Sequence, residues 1–225
     1  MTIQNNFLLL QINDSLFPIG SFQHSFGLES FVQKGLVCNE NDMLCFMQSY
    51  LVDSLLYSDL LALKLCYEYA NNLEKILEIE SLLFALTTPQ EIREANAKLG
   101  IRFIKTIEAM LDKNGKIWRN YVLHTLKPTH ATSYGVFCAD NGIDFDRAIS
   151  SYLYAQSANM VVNGVKLIPL SQDSGQSILY NLQNVFIDVI AKIKSLGQES
   201  LGNNAPNYDI FAIIHQNLYS RLYMS

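Results

Sequence analysis

Any chemistry in this chain would have to come from four histidines, four cysteines and scattered carboxylates. His24, His124, His130 and His215 are mostly far apart, and a histidine acts as ligand, acid or base only when a second group is brought to it. No His-Glu-x-x-His, Gly-x-Ser-x-Gly or Gly-x-Gly-x-x-Gly occurs, so the common metallohydrolase, nucleophile-elbow and dinucleotide patterns are missing. Gly115-Lys116 is followed by Ile117, which rules out the Ser or Thr that a P-loop places on magnesium. Cys38, Cys45, Cys66 and Cys138 form no Cys-x-x-Cys pair and need no oxidising compartment. They read as small hydrophobes. The histidines read as satisfied or exposed structural residues. No catalytic residue and no metal ligand is assigned.

Three stretches suit neither plain core nor plain surface. Asp14 to Glu29 is apolar and aromatic, yet broken by Pro18, Gly20 and Gly27, which fix a turn and allow close backbone approach. It is either a packing corner or a preorganised docking surface. Pro169-Leu170-Ser171-Gln172-Asp173-Ser174-Gly175-Gln176 reads as a loop and helix cap, with Lys166 just before it. The terminal stretch from Asp209 to Ser225 stays apolar and aromatic with Asp209 and Arg221 as its only charges. Chain ends usually turn polar, so this one either docks on its own core or is held for another protein.

The elements that must position these residues are helical. Leu44, Met47, Leu51 and Leu55 recur at helical spacing after a polar Asn39-Glu40-Asn41-Asp42 start, and Leu60 to Tyr69 continues apolar. Leu73 to Phe84 marks another helix. Thr88-Pro89-Gln90-Glu91 is a start signal, with Thr88 as cap and Pro89 in the first turn, for a helix running to a stop at Lys113-Asn114-Gly115. Thr129 caps a helix ending near Gly142, and Asp144 opens the next. Ser174 to Lys194 reads as one helix, and Asp209 caps the last. Met160 to Val162 and Val165 to Ile168 are the only competing strands, without hairpin partners. No repeat or long linker divides the chain. The expectation is an all-α fold, a single-domain helical bundle of about eight to ten helices spanning 1–225, with 209–225 as a terminal docking helix.

Composition narrows the partners. The 225 residues carry 16 Lys+Arg and 21 Asp+Glu, net −5, with only 16% charged, against about 25% in average soluble domains. Lys and Arg never stand adjacent, so no footprint for a phosphate backbone exists and nucleic acid is not expected. The longest charge-free run, Ala148 to Val165, spans 18 residues but includes Ser150, Gln156, Asn159 and Asn163, too polar for lipid. No signal-peptide pattern opens the chain. A cytoplasmic protein with part of its surface covered by another protein is expected.

Several motifs, in order along almost the whole chain, carry a family resemblance. Leu16-Phe17-Pro18-Ile19-Gly20-Ser21-Phe22 with His24-Ser25-Phe26-Gly27-Leu28-Glu29 is similar to the L-P-[IV]-G-[GS]-[FY]-x-[HY]-S-x-G-L-E motif of the urease accessory protein UreF family. Glu91-x-Arg93-x-Ala95 with Lys98-Leu99-Gly100 resembles its central helix. Tyr152-Leu153-Tyr154, Pro169-Leu170-Ser171-Gln172 and Gly175-Gln176 match further elements. The ending His215-Gln216-x-Leu218-Tyr219-Ser220-Arg221-Leu222-Tyr223-Met224-Ser225 is similar to H-E-x-L-Y-S-R-L-[FY]-x-S, except that Gln216 replaces the family's Glu.

The resemblance implies a dimeric all-α adaptor with no catalytic centre. Such proteins bridge a scaffold, UreD or UreH, and the GTPase UreG, so that GTP hydrolysis is coupled to nickel insertion into apo-urease. No cofactor is bound tightly, and nickel is handled by the assembled complex. By the same resemblance His215, Leu218, Tyr219, Arg221, Leu222 and Tyr223 would dock on the scaffold. Tyr154 would lie at the dimer contact, and Glu29 and Lys166 would face the GTPase. Pro18, Gly20, Ser25, Gly27, Arg93, Gly100, Gln172, Gly175 and Gln176 would be structural. Phe17, Phe22, Tyr219 and Tyr223 are the aromatic anchors expected of such interfaces. Periodicity alone also permits a haem-oxygenase-like helical enzyme with His24 or His130 ligating a cofactor.

Overall fold

The computed structural model describes residues 2–111 and 115–225. Among them there is no strand, and twelve α-helices follow one another. The first six are α1 (Ile3–Ile12), α2 (Leu28–Gln33), α3 (Glu40–Asp53), α4 (Asp59–Glu68), α5 (Leu73–Leu86) and α6 (Gln90–Met110). The rest are α7 (Lys116–His124), α8 (His130–Asp140), α9 (Phe145–Leu167), α10 (Gln172–Asn181), α11 (Gln183–Ile193) and α12 (Pro206–His215). The all-helical class is as the periodicity indicates, but the helices outnumber the eight to ten expected. The stretch from Ser174 to Lys194 divides at Leu182, and the six-residue α2 interrupts the N-terminal motif. The residues expected to compete as strands, 160–162 and 165–168, belong to α9 and the turn that caps it.

The centre is the crossing of α4 and α8. Leu60 to Cys66 are buried without a break, as are His130 to Cys138. Gly135 makes that crossing possible, because a Cβ there would strike the Leu63 carbonyl oxygen. Gly100 does the same on α6, where a Cβ would strike the Pro128 carbonyl. Phe103, Trp118, Phe137, Tyr134 and Tyr152 pack around the crossing at ring separations of 5.0–6.2 Å. Lys64, buried in α4, donates to the Leu196 carbonyl at 2.8 Å and pairs with Glu68 at 3.2 Å. Glu80, buried on α5, accepts from Tyr121 Oη at 2.9 Å and from the Leu126 and Lys127 amides at 3.2 and 2.8 Å. It thereby fixes the connection that delivers Thr129 to cap α8 in a reciprocal box with Thr132.

Three boundaries differ from expectation. α6 begins at Gln90 with Pro89 as its cap residue, so Thr88 is not the cap; its side chain bonds Asp209 instead. The expected stop of α6 falls partly on residues 113–114, which lie outside the described residues; the helix itself ends at Met110. α12 begins with Pro206 at its first position, where a missing N–H costs nothing. Asp209 therefore sits inside the first turn rather than at the cap. The helix also stops at His215, and residues 216–225 run on as turns and bends rather than as a helix through 225.

Candidate functional site

The N-terminal motif and the end of the chain, far apart in sequence, are sewn together. Gly20 and Gly27 adopt φ of 86° and 88°, conformations that a side chain disfavours. At Gly27 a Cβ would also come within 3.2 Å of the Ala212 amide, so this glycine is where α12 meets the start of α2. The turn exposes main-chain donors to the last residue. The Ser25 and Phe26 amides donate to the Ser225 main-chain oxygen at 2.6 and 3.0 Å, and Ser25 Oγ donates to the same atom at 2.9 Å. The Met224 amide donates to the Gln23 carbonyl at 2.9 Å, and Gln33 Nε2 to the Ser220 carbonyl at 2.9 Å. From behind, Asn159 and Asn163 on α9 donate to the Ser21 and His24 carbonyls at 3.0 and 2.9 Å. That accounts for Asn159 and Asn163 in the charge-free run: they hold a loop whose carbonyls would otherwise be buried unpaired.

Beneath this seam lies a charged network. Glu29, 3% exposed on α2, accepts from the Leu222 and Tyr223 amides at 2.7 and 3.1 Å and faces His215 Nε2 at 3.1 Å. The other ring nitrogen of His215, Nδ1, faces Glu91 Oε2 of α6 at 3.1 Å. Arg221 Nη1 completes the chain on Glu91 Oε1 at 2.6 Å. Burial works against the charge on Glu91, but bonds from His215 and Arg221 outweigh it and hold the carboxyl below its ordinary value. Tyr223 is pushed up by burial and by the nearby Glu29, so its phenol stays protonated. Two buried amides, a carboxylate and an imidazole thus satisfy one another, as buried polar groups must.

The expected site residues separate accordingly. His215 and Tyr223 were expected to dock on a partner, but they face inward, at 0% and 7% exposure. The His215 ring is paired within this chain and the Tyr223 amide is bonded to Glu29, while the buried Tyr223 phenol oxygen has no hydrogen-bond partner among the described residues. Phe17, an expected anchor, is likewise buried against Phe103 at 5.9 Å. Glu29, expected to face the GTPase, lies under the terminal segment. Leu218 is half-buried and Arg221 sits at the rim. Tyr219 and Leu222 point outward, joined by Met224 and by Ile210 and Ile213 on the free face of α12. Residue type alone does not distinguish the two groups. Residues 219–222 are all exposed, and exposure alternates only along 222–225, where Leu222 and Met224 face out and Tyr223 and Ser225 face in, with the amide bonds to Glu29 setting the register.

Elsewhere Lys166 is exposed at the end of α9. Tyr154 is exposed near Phe186 and lines a groove of about 340 Å³ with Ile19, Phe22 and Val162. Pro18 is exposed on the turn. Arg93 donates to the Thr87 and Thr88 carbonyls at 2.8 and 3.2 Å and lies over the Phe84 ring. Gly175 packs on Val165, while Gln172 and Gln176 are exposed at the start of α10, away from the seam. Gln216, standing where a Glu was expected, is not needed to pair His215, since both carboxylates on that ring come from other helices.

The histidines weighed as cofactor ligands have other surroundings. His24 Nδ1 bonds Ser225 Oγ at 2.8 Å, and burial and then Lys98 lower its basicity. His130 is walled by Phe103, Tyr134 and Tyr152, and burial pushes it down to about 3. Asp59 lines a small cavity of about 60 Å³ with Tyr50, Asn96 and Tyr208, and burial pushes it up to about 6. Among the described residues no group of three or more His, Cys, Asp or Glu is arranged to hold a metal, and no helix is long and apolar enough to cross a membrane. Compared with protein families, residues 37–183, well over half of the chain, match the UreF family. The seam's two strands of contact, 20–29 and 215–225, lie outside the matched span.

Proposed function

The chain belongs to the UreF family of urease accessory proteins, and on that premise we propose that it is a non-catalytic adaptor joining the UreD/UreH scaffold to the GTPase UreG. Its task is then to make GTP hydrolysis by UreG productive for seating nickel in apo-urease. Nickel is cargo of the assembled complex in this reading, not a resident of this chain. The observation that carries it is the seam: a buried ionic and amide network whose outer face is the apolar set Ile210, Ile213, Tyr219, Leu222 and Met224. Large exposed apolar groups on a rigid backing are what a docking partner needs, because little conformational freedom is lost on binding.

The scaffold surface is therefore the outward row, with His215, Glu29 and Tyr223 as its support. Glu29 serves the GTPase only indirectly, by holding that row, whereas Lys166 remains available for direct contact. A homodimer through the Tyr154 groove gives two equivalent docking surfaces. The test is copurification with the scaffold of a Tyr219→Asp, Leu222→Asp double variant. Both side chains are exposed, so helical content and melting should stay within error while scaffold capture falls at least tenfold. Capture at the wild-type level would end the reading.

A further inference from the structure

His215 is fully buried, yet each of its ring nitrogens has a carboxylate oxygen at 3.1 Å, one from Glu29 and one from Glu91. A carboxylate accepts and does not donate, and a neutral imidazole has a single N–H. Both bonds therefore exist together only when the ring carries a proton on each nitrogen. Remove one proton and a lone pair on a fully covered ring faces a carboxylate, which exchanges a strong charge-assisted bond for repulsion.

The neighbours leave no substitute donor. From α2 comes Glu29, and from α6 comes Glu91. From the terminal segment come Arg221, which is engaged on the other oxygen of Glu91, and Tyr223, whose phenol stays protonated and whose amide binds Glu29. On α12 itself, Asp209 is bonded to Thr88 and Asn204, and burial raises it above the ordinary carboxylate value. His24, beyond Ser225, is lowered by burial and by Lys98 and offers no charge to the network. His215 is thus the one group here that can bridge the two carboxylates.

We propose that a doubly protonated His215 is a latch for residues 216–225, tying α2 and α6 to the end of α12, and that loss of one proton frees the segment. Glu29 then loses the cation that lets it hold the Leu222 and Tyr223 amides, so opening spreads from the ring to the main chain. The sign is set by the charged form being the bonded one: attachment holds while both ring nitrogens carry a proton and weakens as rising pH removes one. At the acid extreme Glu91 sets the other limit, because its carboxyl is held below the ordinary value and attachment is lost as pH falls through that lowered range. The latch belongs to the isolated chain; its consequence for the scaffold rests on the docking surface proposed above.

The experiment follows tryptic cleavage after Arg221 in the full chain between pH 6 and 9, with an unstructured reference peptide correcting for the pH dependence of the protease. In the wild type, corrected cleavage should rise roughly tenfold across the range, the scale of one charge-assisted hydrogen bond. His215→Gln should be cleaved at the fast rate throughout and show no pH dependence. A second measurement needs no variant: nitrogen NMR of the His215 ring in the wild type should show both nitrogens protonated where cleavage is slow and only one where it is fast. Cleavage in the wild type that ignores pH, the same pH dependence in the variant, or a neutral ring under conditions where cleavage is slow would each overturn the latch. Because no scaffold is present, failure here leaves the docking surface to be judged by its own test.

Discussion

At the scale of single residues, the groups that matter are carboxylates placed where carboxylates are costly. Glu29 and Glu80 are both buried, and each is held by main-chain amides of a distant segment. Asp59 is different: no such donors meet it, and burial alone raises it to about 6. A group protonated more readily in the fold than in the unfolded chain contributes stability at low pH. That contribution is lost as pH rises from about 4 through about 6. Asp59→Asn should therefore raise stability by about 2 kcal/mol at pH 8, with the gain vanishing below pH 4; thermal melts of the two proteins across that range would show it. None of this was legible in the sequence. Glu29 reads as a charged residue in a motif, and only the fold shows that its partners are the backbone of residues 222 and 223. His215 read as one of four scattered histidines because both of its carboxylates come from other helices.

At the scale of elements, the sequence is more talkative. The starts of α8 and α9 follow from Thr129 and Asp144, whose side chains accept the amides that an opening helix leaves free. Where the reading slipped, a tertiary bond had taken a local one's place. Thr88 looked like a cap for α6, but its side chain is engaged by Asp209 of α12, so the helix starts without it. Helix crossings were hidden as well, because a glycine in a helix signals close approach without saying to what. Gly135→Ala should force α4 and α8 apart at their centre and cost about 3 kcal/mol. The expected drop in melting temperature is roughly 6–12 °C, with the helical circular dichroism signal retained at low temperature. A melting point equal to the wild type would mean that the crossing relaxes freely.

At the scale of the whole molecule, two faces are prepared and they do not coincide. One is the outward row of the terminal segment; the other is the groove with Tyr154, Phe22 and Val162 exposed along it. If the second is where two copies meet, Tyr154→Asp should yield a monomer by light scattering while leaving the helical circular dichroism signal unchanged, since a charge is costly only once the face is covered. An intact dimer would move the contact elsewhere. The seam has one more consequence, for how the molecule comes into being. Ser25 and Ser225 are 200 positions apart, and at 5–20 residues per second roughly 10–40 seconds of synthesis separate them. Throughout that interval the turn containing Gly20 and Gly27 has no partner for its amides, and the aromatic side chains around it have no lid. A growing polypeptide on the ribosome must carry this open flap until residues 215–225 emerge, which makes the newborn chain, rather than the folded one, the form most in need of shelter.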